Sequence, residues 1–177
     1  MYSGLVSMES GEGAEKSLEQ TLLRGYESAG YPLVITKENV SEVAARIEAA
    51  ENFTRMRFND QTKSGLDRWL PEMVEKVGEI KMVAVPANDF YLSPKGDKKD
   101  RLRMIAQAVK RVEDITKLPP PFFSWSGAGE RLTSDGRHRV RILQKLGSPI
   151  VVGYDLPRKE MERYMTDRYQ EVLKIEV

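Results

Sequence analysis

Apolar residues recur along the chain either at helical spacing or at every second position, and the changes of rhythm mark out its elements. Leu18, Leu22 and Leu23 share one face of a predicted helix over 14–28 that ends before Gly30. Tyr31 to Ile35 reads as a short strand. Thr36 then caps a helix with Val40, Val43, Ala44 and Ile47 on its apolar side, ending near Asn52. Phe53 to Phe58 alternates apolar with polar residues and is predicted as an edge strand, followed by a turn at Asn59 and Asp60. Helical spacing returns over 65–77 through Leu66, Trp69, Leu70, Met73 and Val77, with Gly78 as the stop. Pro71 must be accommodated near the start of that helix or kink it.

From Glu79 the texture changes. Ile80 to Val85 is a predicted strand closed by Pro86, and a charged helix runs from about Asp100 to Ile115 with Leu102, Ile105, Ala106, Val109 and Val112 inward. Leu118 and the three prolines Pro119 to Pro121 break it. Phe122 to Trp125 then pairs through a Gly-containing turn with a return strand, Glu130 to Thr133. Val140 to Leu146 is amphipathic, Gly147 to Pro149 ends it, and Ile150 to Tyr154 is a buried strand. A closing helix over 157–173 carries Met161, Tyr164, Met165, Tyr169 and Val172.

The chain has 177 residues with 28 basic and 27 acidic side chains, so it is no general polycation and any anion site is local. Charge is uneven: nine acidic residues face four basic ones from Met8 to Glu51, while Lys95 to Arg111 holds seven basic against two acidic. The absence of cysteine removes disulfides, thiolate chemistry and sulfur-ligated metals, and a single histidine removes a His-rich zinc site. Apolar runs too short for a bilayer, and an N-terminus unlike a signal peptide, point to a cytoplasmic protein.

Chemistry concentrates at Thr133 to Arg141. Ser134 and Asp135 are good N-cap residues, Gly136 permits a tight turn, and the helix that follows exposes N–H groups with partial positive charge. Arg137, His138, Arg139 and Arg141 crowd that same positive end, where cations are disfavoured unless something negative binds. At four-residue spacing Arg137, Arg141 and Lys145 form one stripe, which also reads as a solvated basic face.

The order of these features resembles the ParB/sulfiredoxin superfamily over residues 78–156: a Pro-terminated strand, a helix, a Pro-rich link, a Gly-turned hairpin, a Gly-x-His-Arg helix start and an apolar strand. The resemblance implies an α+β fold, a small mixed sheet flanked by helices. Around it would lie a flexible terminus over 1–13, a mostly helical region over 14–77 and a C-terminal helix over 157–177. It implies that Gly136, His138 and Arg139 hold the phosphates of a nucleotide, ATP or CTP, with Mg2+. Sulfiredoxins carry a catalytic cysteine where this chain has Arg137, so sulfinic-acid reduction is excluded on chemistry. The 21 residues after Leu156 would not hold the DNA-binding and dimerisation parts of a partition protein. The small members remain as models: free-serine kinases, ParB-like nucleases and Osa-type plasmid proteins, with ATPase, nuclease or kinase-like chemistry.

In phosphoryl transfer Arg137, Arg139 and Arg141 would neutralise phosphate charge with forked donors, beside His138, which otherwise packs near the helix start. Asp135 is a magnesium-ligand candidate or a plain N-cap. Asp89 and Glu130 are candidates for a base, Asp89 equally an ordinary turn residue. The Lys95–Arg111 run could meet a DNA backbone, and Phe122, Phe123 and Trp125 could stack on bases or pack in the core. The alternative to an enzyme is a plasmid or phage module that binds nucleic acid or a protein partner without catalysis.

Overall fold

Local sequence rules deliver most of the elements. The structure, a computed structural model, describes residues 11–58, 66–125 and 130–157. Its strands are β1 (Val34–Ile35), β2 (Ile80–Pro86), β3 (Phe122–Trp125), β4 (Arg131–Asp135) and β5 (Ile150–Asp155). They form one five-stranded mixed sheet in the order β1-β2-β5-β3-β4, antiparallel throughout except for β3 beside β5. The near-continuous apolar run of β5 matches its central place, where Ile150 to Tyr154 are all buried.

Gly153 marks a tight crossing of the sheet. A Cβ there would strike the Pro121 carbonyl oxygen and lie 2.7 Å from the Phe123 ring. The same carbonyl accepts the Tyr154 N–H at 2.9 Å. Gly153→Ala should therefore destabilise the protein by about 1–3 kcal/mol through overpacking. Urea denaturation measures it, and an unchanged midpoint would show that the Pro121 crossing yields freely.

Helices flank the sheet. α1 (Gly11–Ser28) buries Leu22 and Tyr26 and lies against β5 and a 3-10 turn, Val112–Lys117. α2 (Val40–Phe58) buries Val43, Ala44 and Ile47 and packs on α3 (Leu66–Val77), which buries Leu66, Leu70, Met73 and Val74. α4 (Lys99–Ala108) packs on α5 (Arg137–Lys145), whose Val140, Ile142 and Leu143 face the core. Residues on both sides of Gly78 share one hydrophobic core. Trp69 of α3 meets Phe122 edge-on at 5.4 Å, Phe122 lies 5.0 Å from Tyr154, and the Tyr154 hydroxyl donates to the Pro32 carbonyl at 2.8 Å. No helix among the described residues is long and apolar enough to cross a membrane.

Five expectations are corrected. Phe53 to Phe58 is not an edge strand but the last turns of α2; no Gly or Pro interrupts the run from Val40, so the helix propagates through a weak alternation. α2 starts at Val40 rather than after Thr36, because the Asn39 side chain accepts the Thr36 N–H at 2.8 Å and donates to the Val34 carbonyl at 3.0 Å. The helix predicted to reach Ile115 stops at Ala108, where the Asp114 carboxylate takes the N–H groups of Lys110 and Arg111, both at 3.0 Å. Ala106, expected inward, is exposed. α1 begins at Gly11, inside the segment expected to be a flexible terminus, whereas α3 runs through Pro71 as a single helix. The turn at Asn59 and Asp60, the 126–129 hairpin turn and the closing helix over 157–173 lie outside the described residues.

Candidate functional site

β4 ends at Asp135, and Gly136 swings the chain into α5 with φ 93°. Only glycine suits this position: φ lies in the left-handed region, and a Cβ would sit 2.7 Å from Arg139 Nη2 and 2.8 Å from Pro121 Cβ. Gly136 is itself the N-cap, so no side chain caps the start of α5. This corrects the expectation of an Asp135 cap. The Asp135 carboxylate instead turns onto Arg139, 3.2 Å from Nη2, and Glu51 of α2 reaches the same Nη2 at 3.7 Å.

These three side chains form a buried charge network. Arg139 is 8% exposed, Glu51 13% and Asp135 19%. Burial pushes the Asp135 carboxyl up, but the Arg139 charge, hydrogen bonds with Glu51 and Arg139, and the Gly136 N–H outweigh it and hold the group below its ordinary value. Among the described residues, Arg139 Nε and the hydroxyl of fully buried Tyr26 find no hydrogen-bond partner. Burial pushes the Tyr26 hydroxyl up, against the pull of Arg139 and with that of Tyr31.

The neighbouring cations of α5 are also held. Arg137 lies 3.3 Å from Asp97 Oδ1 and donates to the Ser93 carbonyl. Arg141 donates to Asp97 Oδ2 at 3.0 Å and to the Leu92 carbonyl. Of the stripe Arg137, Arg141 and Lys145, the first two are therefore partly buried and internally paired, and Lys145 alone is exposed. His138 Nε2 accepts the Lys98 N–H at 2.9 Å. Burial, then the Arg101 charge, holds its imidazole below the usual value; Asp97 opposes this, and Arg137 and Lys98 add to it. In the free protein this lowering favours the neutral ring, with Nε2 as acceptor.

Between the start of α5, α4 and the Pro-rich link lies a cavity of about 360 Å³. Asp135, Gly136, Arg137, His138 and Arg139 line it together with Glu51, Arg101 and Lys117, and Met104, Ile105, Leu118 and Pro119 supply apolar surface. Its size is within the range of small-molecule sites. Five residues singled out in the sequence are thus brought together. Asp89, half-buried in the 3-10 turn Ala87–Asp89, and exposed Glu130 are not in the lining, nor is Arg141. Phe122 and Phe123 are fully buried and cannot stack on bases, and the Arg131 guanidinium covers one face of Trp125 at 4.1 Å.

Sequence reasoning missed Glu51, Arg101, Lys117 and Asp97. Nothing local marks Glu51, since it reaches the site from a different helix. Arg101 and Lys117 were hidden in ordinary charged stretches. Asp97 carried a faint signal, as one of two acids in the basic run from Lys95.

Fold and cavity together define an α+β protein with a mixed sheet and a cavity, lined by four cations and two acids, at a glycine-started helix. No family model, no curated protein and no solved structure matches the chain.

Proposed function

We propose that the cavity at the start of α5 binds a nucleoside phosphate such as ATP or CTP, in the manner of the ParB/sulfiredoxin superfamily that residues 78–156 resemble, and that phosphoryl transfer or hydrolysis is its chemistry. One observation supports this above the others: the uncapped first turn of α5 opens into a cavity that offers both cationic and apolar walls. A phosphate there meets backbone N–H groups and the helix dipole. The apolar walls suit a base.

Arg139 already engages the Asp135 carboxylate, so a magnesium ion would enter on the phosphates of the nucleotide, with Asp135 and Glu51 as the carboxylates in the lining. For hydrolysis, Glu51 and Asp135 are the acids in the cavity lining. As water attacks phosphorus and the bond to the leaving phosphate breaks, a carboxylate of this pair takes the water's proton.

Calorimetric titration with ATP and CTP, with and without magnesium, tests this, with phosphate release followed in the same samples. Expected are saturable binding weakened about tenfold by Arg101→Ala, roughly 1.4 kcal/mol, and loss of phosphate release with binding retained in Glu51→Gln. Absence of binding by either nucleotide at millimolar concentration would overturn the reading. Binding without turnover would favour the second reading, a non-catalytic module for a nucleic-acid backbone or an acidic protein. That reading draws on the exposed Lys95, Lys98, Lys99, Arg103, Lys110 and Arg111.

A further inference from the structure

Three side chains from the first turns of α5 hold one segment of the chain, residues 92–98. Arg141 grips its first residue through the Leu92 carbonyl and a later one through Asp97. Arg137 grips the Ser93 carbonyl and the other oxygen of Asp97. His138 takes the N–H of Lys98, immediately before α4 begins at Lys99. Arg101, Met104 and Ile105 of α4 line the cavity, so this segment fixes how one wall of the cavity stands against the other.

The two arginines are not equivalent. Arg141 is outside the cavity lining and holds Asp97 at 3.0 Å. Arg137 lines the cavity, meets Asp97 at the longer distance of 3.3 Å, and among the described residues its buried Nε has no acceptor. A guanidinium on a cavity wall, held by one carboxylate oxygen and one backbone carbonyl rather than by a forked pair of oxygens on one group, has a donor geometry that suits phosphate better than the partners it has. Asp97 itself is not in the lining.

We propose that Asp97 is an internal competitor for the anion: it occupies Arg137 in the free protein, and a phosphate entering the cavity draws Arg137 away and loosens the 92–98 strap. The inference rests on the nucleoside-phosphate reading and adds its regulation. Arg141 keeps its hold on Asp97 and anchors the strap while Arg137 changes partner.

A merely structural clamp and a competitor make opposite predictions for Asp97→Asn. Losing the clamp would leave binding unchanged or weaken it. Removing a competitor tightens binding, by about tenfold if the latched state is populated some nine parts in ten. The test is calorimetry of wild type and Asp97→Asn with ATP, CTP and inorganic tripolyphosphate, after a cooperative thermal transition has shown that the variant is folded. Tripolyphosphate or nucleotide binding tighter in the variant is the expected result, and equal or weaker binding overturns the proposal. Limited trypsin digestion of the wild type gives a second reading that needs no variant: saturating tripolyphosphate should speed cleavage after Lys95, and slowed or unchanged cleavage overturns the strap. Tripolyphosphate binding that is tighter in the variant, with ATP and CTP not binding, would sink the nucleotide reading and leave the strap standing. No anion binding by either protein would overturn both.

Discussion

Replacing Arg139 by alanine should cost the protein about 3–5 kcal/mol at neutral pH, because it leaves buried carboxyl groups without their cation. Asp135 and Glu51 both reach the same guanidinium nitrogen, and burial alone would push Asp135 upward. The sign of the pH dependence follows. In the wild type the folded value of Asp135 lies below its ordinary 3.8, so its contribution is present above that pH and lost as pH falls through the depressed value. With Arg139 gone the chief depressing cause is gone as well, and the carboxyl takes up a proton more readily when folded than when unfolded. The deficit of Arg139→Ala should therefore shrink from pH 7 toward pH 5. Chemical denaturation at the two pH values decides it, and a deficit below about 1 kcal/mol, as for an exposed ion pair, would show that the network is not buried as described. Nucleotide binding, where the wild type shows it, should be lost with it.

Phe122→Ala should be comparably severe, about 3–5 kcal/mol. Its ring is fully buried between Trp69 of α3 and Tyr154 of β5, so truncation opens a cavity where the N-terminal helices meet the sheet. Guanidinium denaturation should show a lower midpoint with an unchanged slope, and the emission of Trp69 should shift to the red. A loss under about 1 kcal/mol, typical of a surface substitution, would contradict the single shared core.

The parts of the fold that were legible in the sequence are those decided locally. Ile80 to Pro86 and Ile150 to Asp155 are apolar runs bounded by turn residues, and α5 follows a glycine that its backbone requires. Phe53 to Phe58 misled because six alternating residues are too few to outweigh an uninterrupted helix. The early end of α4 depends on one side-chain cap, Asp114, whose targets are backbone groups that a periodicity argument does not weigh. At the site, the crowding of Arg137, His138 and Arg139 at a helix start was readable, and the structure brings them to one cavity. Their partners were not readable. Asp97, Ser93 and Glu51 are distant in sequence, and only the packing of α4 and α2 shows that much of the cationic charge is already engaged.

The position of β5 has a consequence for how the chain comes together during synthesis. The strand that joins β2 to β3 is the last of the five to leave the ribosome. Until Ile150 to Asp155 has emerged, the β1–β2 pair and the β3–β4 hairpin have no strand between them, and each presents an open edge. α5, which begins at Arg137, is made just before that strand, so every residue of the cavity lining has been synthesised before the strand that closes the sheet emerges.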